Sequence, residues 1–396
     1  MTPDQLLALA RDAGAPADAG LTTPVAALFD SMAFVGFLGL LADECGVEPA
    51  DIEEVVGRRF TTLADLANRL GETGVAPGRP RGQARESLPP DMRSPGPAVW
   101  LAASAIRLPA SMRSAEDTDR LLGRPAGWFR QRTGIAGCRR WGDEDAVEAA
   151  ASAGLECLKG AIDVSALLVT SEAPPRWPGL AACLHAHLAL PPSCAALDVG
   201  GACVGVLHAL WLARRLARPQ GDVLIVAVES PSVWLGMRAG PEGEAAALFA
   251  EGAAACRVSV TPRGRPLLDV ALGCDGTAAD LLRLEPARGL AMRGPALASR
   301  AVHAVCSSAG ELAARHGVRL GDVVVHAGNG RMAALVARKL GVPAGRVRSR
   351  TAELGNLGSA SLLAAWEPAA DVPGPVIWAA AGAGLNWGAA LWGPMA

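Results

Sequence analysis

The chain has 396 residues, 51% of them hydrophobic and 19% charged, with a formal net charge of −2. That describes a globular protein with a large core, and its near-balanced charge gives no electrostatic reason to expect a nucleic acid. Nine cysteines without paired metal-ligand spacing point to free thiols in a reducing cytoplasm and to no metal site. The polar start MTPDQLLALARDAG is unlike a secretory leader, and no uncharged apolar run reaches membrane-spanning length.

In chain order, residues 1–71 read as helical. A short amphipathic start is followed by a helix from Ser31 to Cys45 and a last helix in TTLADLANRL. Residues 72–97 are rich in Pro, Gly, Arg and Ser without an apolar period, the composition of a flexible linker. From residue 98 onward, short β-rich runs alternate with helices. The strand candidates are AVWLAASAI, SALLVTSE, CAALDV, DVLIVAVES, AAACRVSV, PLLDVALG, DVVVHAG and PVIWAAAG. That alternation predicts an α/β layered domain. GAIDVSALLVTSE and VRLGDVVVHAGN share a design, which suggests that the domain is internally duplicated.

Four points carry possible chemistry. Cys203 lies in DVGGACVGVLHALWLARRLA, where a short strand runs through small residues into an apolar helix with Arg214 and Arg215 near its end. A thiol on the first helical turn meets the positive end of the helix dipole, which lowers its pKa from about 8.5; the alternative is a small buried core residue. His326 ends the apolar strand DVVVHAGN, catalytic or structural. Asn356 stands between glycines in ELGNLGSASL, a ligand contact or a turn residue. AAAGAGLNWGAALW is a strand followed by a glycine-rich loop around Gly384, whose backbone N–H groups suit an oxyanion site.

Taken in order, these stretches resemble the β-ketoacyl-acyl-carrier-protein synthase III group of thiolase-fold enzymes. WFRQRTGIAGCRR resembles that family's aromatic-R-T-G-I entry motif, and DVGGACVGVLHAL its nucleophile elbow. ALFAEGAAACRV resembles its F-G-D-G-A-G-A stretch and HAGNGRMAALVARKLGVPAGRV its H-Q-A-N-x-R-I segment. ELGNLGSASL resembles Y-G-N-T-S-A-A-S, and GAGLNWGAAL resembles G-G-G-L-T-W-G-A-A-L. The resemblance implies a five-layered, duplicated α-β-α-β-α thiolase-like fold, with one half over 98–262 and the other over 263–396. It implies that Cys203 takes up an acyl group from an acyl-CoA or acyl-carrier thioester. His326 and Asn356 would then stabilise the enolate of a decarboxylating malonyl-type extender, with the backbones of Cys203 and Gly384 as oxyanion hole. It also implies a homodimer. Two rival readings keep the fold: acyl transfer between coenzyme A and a carrier without decarboxylation, and a non-catalytic partner of another synthase. The segment Ser171–Pro192 is short and proline-rich compared with the family, which would reshape the acyl pocket.

Residues 1–71 resemble an acyl carrier protein of four helices. Asp30-Ser31-Met32 stands where that family has D-S-L, and Thr62-Leu63-Ala64-Asp65-Leu66 resembles the start of its last helix. The resemblance makes Ser31 the attachment point of 4′-phosphopantetheine, placed there by a phosphopantetheinyl transferase; the serine is equally an N-cap by its position. A flexible linker of about 25 residues spans about 25–30 Å root-mean-square, which would hold such a carrier near a synthase at roughly millimolar effective concentration. Arg124, Arg130 and Arg132, or Arg338, Arg346 and Arg348, would meet its acidic helix around Asp43 and Glu44, or form a solvated face.

Overall fold

The computed structural model describes residues 2–13, 15–29, 31–45, 60–72, 97–161, 163–174, 176–235, 241–285, 289–366 and 371–395. Asp30 and nearly all of the 72–97 segment lie outside these, as does the side chain of Ser31. The chain divides into two compact units, Met1–Ser94 with Arg293–His303, and Pro95–Met292 with Ala304–Ala396.

Among the described residues of Met1–Ser94 the helices are α1 (Pro3–Asp12), α2 (Val25–Leu28), α3 (Ser31–Cys45) and α4 (Leu63–Glu72). Helix α1 begins where Thr2 and Gln5 cap one another reciprocally, with Pro at the first position. Helix α4 begins where Asp65 accepts hydrogen bonds from the backbone N–H groups of Thr61 (3.1 Å) and Thr62 (3.0 Å), while Thr62 Oγ1 accepts from Asp65 N. Leu6, Phe37, Leu41, Leu63 and Leu66 are fully buried, and Phe29 stacks on Phe37 with ring centroids 5.0 Å apart. Their burial holds the short helices, which would be marginal alone.

In the larger unit, strands β1 (Val99–Arg107), β4 (Val164–Thr170), β5 (Ala195–Asp198), β6 (Asp222–Glu229) and β7 (Gly252–Ser259) are followed by β8 (Arg265–Cys274), β11 (Asp322–Val325), β12 (Val347–Arg348), β13 (Val376–Gly382) and β14 (Asn386–Trp392). They form one sheet in the order β12-β11-β13-β14-β8-β1-β7-β6-β4-β5. Two small antiparallel strand pairs, β2 (Ser111–Ser114) with β3 (Gly137–Arg140) and β9 (Leu282–Glu285) with β10 (Gly289–Met292), stand apart from it.

The sheet is two copies of one pattern. In the first half β4 runs parallel to β5 and β6, then β6, β7 and β1 pair antiparallel. In the second half β11 runs parallel to β12 and β13, then β13, β14 and β8 pair antiparallel. The halves join through a three-residue pairing of β1 with β8. The duplication expected from two short sequence stretches is therefore present strand by strand.

Helix α5 (Ala146–Leu158) covers the outer face of β1, β6 and β7, and α6 (Leu180–His187) packs on β4 and β5. Helix α7 (Gly205–Leu216) touches β4 and β6 of the first half and β8 and β14 of the second. Helix α8 (Met332–Leu340) packs on β12, and α9 (Ser361–Trp366) touches β1, β7, β11 and β13. Helices α7 and α9 thus form the middle layer between the two halves, the expected five-layered arrangement. The main core lies around them and includes Leu207, Leu210, Ile225, Leu362, Trp378 and Trp392. Among the described residues no helix is long and apolar enough to cross a membrane.

Candidate active site

Cys203 sits on a 3₁₀ turn, Ala202–Val204, that leads directly into α7. The elbow is strained: Ala202 has φ +48° and Gly201 φ +126°. Glycine at 205 is required by a close approach, since a Cβ there would overlap Thr170 Oγ1 and stand 2.9 Å from Thr170 Cβ at the end of β4. The second half repeats the elbow. A 3₁₀ turn, Gly358–Ala360, leads into α9, and Gly358 has φ +49° where Ala202 has +48°. Ser359 thereby occupies the position that Cys203 occupies in the first half.

Register places the rest. Thr170 on β4 pairs with Ala227 on β6, so Glu172 and Glu229, each two residues further on, emerge side by side. Val325 on β11 pairs with Ala379 on β13, and His326 N donates to Ala379 O at 3.0 Å. His326 thus follows β11 directly, beside β13, whose last residue is Gly382. Gly382 lies directly against the nucleophile candidate: a Cβ on it would stand 3.0 Å from Cys203 Cβ and 3.3 Å from Sγ. The chain point touching the sulfur is therefore two residues before Gly384, which has φ +132° on the following turn.

Asn356 is 5% exposed. Its backbone N donates to Leu248 O at 2.9 Å, and its carbonyl accepts from Ala250 N at 2.7 Å. Its Oδ1 accepts from Gly358 N at 2.9 Å, which leaves the Nδ2 amide as the donor end. Gly358 connects it to the sulfur: a Cβ there would stand 2.7 Å from Glu172 Cδ, and Glu172 Oε1 accepts from Cys203 Sγ at 2.8 Å.

The carboxylates were not anticipated. Glu229 is 2% exposed and accepts from Glu172 N at 3.0 Å, from Ser359 N at 3.0 Å and from Ser359 Oγ. Glu251, the acid of the FAEG stretch, accepts from Trp141 N at 2.6 Å and Ser232 N at 3.0 Å, a structural role. The signal available in sequence was the pairing of TSE after β4 with VES ending β6, because parallel neighbours bring equivalent strand ends together.

Electrostatics reverse one expectation. Burial, then the charge of Glu172 and its hydrogen bond, then the charge of Glu229, push the Cys203 thiol well above its ordinary value. The helix terminus alone would lower the thiol; desolvation and two neighbouring carboxylates outweigh that dipole. Burial raises Glu172 to about 7, with the hydrogen bond from Cys203 acting the other way. Burial and the neighbouring Glu172 raise Glu229 well above the usual carboxylate range. Burial lowers His326 to about 4, so at neutral pH its ring is uncharged. Such a site can hold a covalent acyl group on sulfur.

A family model for the C-terminal part of 3-oxoacyl-[acyl-carrier-protein] synthase III matches residues 314–393, and one for 3-oxoacyl-[acyl-carrier-protein] synthase III matches 197–276. The chain is 30% identical over 337 residues to the 3-oxopimeloyl-[acyl-carrier-protein] synthase of Rhodothermus marinus, covering 76% of this chain and 97% of that protein. It is 30% identical over 298 residues to a β-ketoacyl-[acyl-carrier-protein] synthase III of Streptomyces coelicolor, covering 72% and 90%. The chain belongs to the synthase III family. Among solved structures, a synthase III from Pseudomonas aeruginosa superposes with TM-score 0.66 at 26% identity, covering 76% of this chain and 99% of that one. The priming β-ketosynthase of the R1128 polyketide pathway gives 0.67 at 25%, covering 76% and 98%. As a member of this family the chain is a ketosynthase of acyltransferase type, acting by decarboxylative condensation in fatty-acid or polyketide biosynthesis.

Proposed function

We propose that this synthase III condenses through an acyl-Cys203 thioester, and that residues 1–71 are its tethered acyl carrier. Cys203 attacks the carbonyl of an acyl-CoA or acyl-carrier thioester and keeps the acyl group as the first thiol leaves. A malonyl-type carrier thioester then loses carbon dioxide. His326 Nε2 and Asn356 Nδ2 donate to the thioester oxygen where negative charge develops, and the resulting carbanion attacks the acyl-cysteine. A ring near pKa 4 suits this role, because it stays a neutral donor throughout the working range. The observation that carries the reading is the elbow itself: Cys203 heads the central helix α7, with the bare backbone of Gly382 against its sulfur.

Ser31 is the first residue of α3, a position consistent with attachment of 4′-phosphopantetheine by a phosphopantetheinyl transferase. The group would supply a mobile thiol for the growing chain. We propose a homodimer, as the resemblance implies.

Intact-protein mass spectrometry tests both sites. After incubation with a panel of acyl-CoA thioesters the protein gains one acyl mass, lost in Cys203→Ala; a phosphopantetheinyl transferase with coenzyme A adds a phosphopantetheine, lost in Ser31→Ala. Carbon dioxide release from a malonyl-carrier substrate separates condensation from simple acyl transfer. A wild-type protein that takes no acyl mass from any member of the panel overturns the reading.

A further inference from the structure

Glu172 lies two residues beyond β4, in the short proline-rich segment and outside both stretches matched by the family models. Its carboxylate is turned to the nucleophile, with Oε1 accepting from Cys203 Sγ at 2.8 Å. Three features hold it there. Its backbone N–H is fixed by Glu229 at 3.0 Å, Gly358 leaves room where a Cβ would stand 2.7 Å from its Cδ, and β4 is locked parallel to β6. The neighbouring acids behave differently. Glu229 is committed to backbone N–H groups and to Ser359, and Glu251 to two backbone N–H groups. Those two support the fold, whereas Glu172 faces a reacting atom.

We propose that Glu172 is the general base and general acid of the Cys203 acyl-transfer steps, a role resting on the acyl-Cys203 reading above. In acylation the Sγ–H bond breaks as the bond from sulfur to the acyl carbon forms, and the proton passes to Glu172. When the tetrahedral intermediate collapses, the bond to the departing thiol breaks and Glu172 returns the proton to that thiolate. The sum is acyl thioester plus cysteine thiol giving acyl-cysteine plus free thiol, with Glu172 again a carboxylate. In condensation the carbanion displaces Cys203 as a thiolate, and Glu172, protonated from solvent, restores the thiol.

The electrostatics support this geometry. A thiol pushed upward supplies little free thiolate at neutral pH, so a contacting base is required. Glu172 near 7 is matched to accept and return a proton there. The ionisable groups facing it are Cys203 from the elbow and Glu229 from β6, with the Ser359 hydroxyl beyond.

The test compares wild type, Glu172→Gln and Glu172→Asp on the full chain, with Cys203→Ala as blank. Gln keeps the shape and can still accept from the thiol, so folding is preserved, and thermal melting checks it. The rate of acyl-CoA acylation, read by intact mass, should fall about 100-fold in Glu172→Gln and recover in part in Glu172→Asp. The wild-type rate should rise with pH through an inflection near 7 that is absent in Glu172→Gln. Alkylation by iodoacetamide gives a readout that needs no acyl donor: the same inflection should appear in wild type and move to higher pH in Glu172→Gln. An unchanged acylation profile, or faster alkylation of Glu172→Gln at pH 7, overturns the proposal, because Glu172 would then only suppress the thiolate. Should the wild type accept no acyl group, the acyl-Cys203 reading fails by itself, and the alkylation profiles still decide whether Glu172 takes the Cys203 proton.

Discussion

Gly205→Ala separates fold stability from active-site placement, and the structure sets the size of each effect. Gly205 has helical backbone angles, φ −52° and ψ −41°, so alanine should improve helix propensity by about 1 kcal/mol. Against that, its Cβ would overlap Thr170 Oγ1 and stand 2.9 Å from Thr170 Cβ. Rotation of Thr170 relieves the hydroxyl but not the Cβ, and carbon atoms prefer about 3.5–4.0 Å. The start of α7 must therefore retreat from β4 by something under about 1 Å, an overpacking of the kind that costs about 1–3 kcal/mol. The net loss is then at most about 2 kcal/mol, and at about 2–4 °C per kcal/mol the melting temperature falls by a few degrees.

Cys203 lies two residues before Gly205, and a displacement of about 1 Å can cost on the order of 100-fold in rate. The expected outcome is a folded protein with slightly lower melting temperature and about 100-fold slower Cys203 acylation. Thr170→Ala removes the hydroxyl and methyl while leaving the Cβ, so in the Gly205→Ala background it should restore part of both losses. The coupling measured by the four-variant cycle should exceed about 0.5 kcal/mol. Melting and acylation of Gly205→Ala that match wild type would refute the claim that the close approach of α7 to β4 sets the position of the sulfur.

Gly382→Ala places a methyl 3.3 Å from Cys203 Sγ in an extended backbone that alanine accepts. Acylation should slow at least tenfold while the melting temperature stays within a few degrees of wild type, both measured on one preparation. Arg257 and Asp222 form a buried ion pair, 7% and 5% exposed; Asp222→Ala strands the guanidinium and should cost about 3–5 kcal/mol by urea unfolding, whereas Arg257→Met with Asp222→Leu should lose much less. Asp269 accepts from His316 at 2.9 Å, Arg315 at 3.1 Å and Arg214 at 3.4 Å. Burial raises its carboxyl, but the hydrogen bonds from His316 and Arg315 outweigh this and hold it below its ordinary value. A lowered folded-state pKa gives stability that is present above the unfolded value near 4 and lost as pH falls through the folded one. The stability gap between wild type and Asp269→Asn, about 1 kcal/mol for such part-exposed pairs, should therefore persist at pH 6 and close below about pH 4 in melting curves.

Local chemistry written along the chain was readable, and contacts between distant strand ends were not. The helix at Ser31–Cys45 and the capped start of α4 follow from apolar spacing and the Thr61-Thr62-Asp65 pattern. Strands β4, β6 and β13 were legible because each has a run of apolar residues bounded by polar or glycine residues. β14 was read as part of a glycine loop, since its buried run NWGAALW follows the turn at Gly382–Leu385 with no change of composition to mark a new strand. Cys203, His326 and Asn356 are singled out in the sequence by motif order alone. Glu172 is not, because its meeting with Cys203 depends on the β4–β6 register and on an elbow 31 residues away in sequence. The same contact explains the wrong sign for the thiol. A helix terminus favours an anion, but here the sulfur is buried against Gly382, the cost of desolvating a thiolate is high, and two acids stand beside it. Duplication supplies the two elbows, whereas both acids come from neighbouring strand ends of the first half: the second elbow brings Ser359 to Glu229 and the first brings Cys203 to Glu172. The two acids thus meet unlike groups: Glu229 holds the hydroxyl and N–H of Ser359, and Glu172 accepts from the thiol of Cys203.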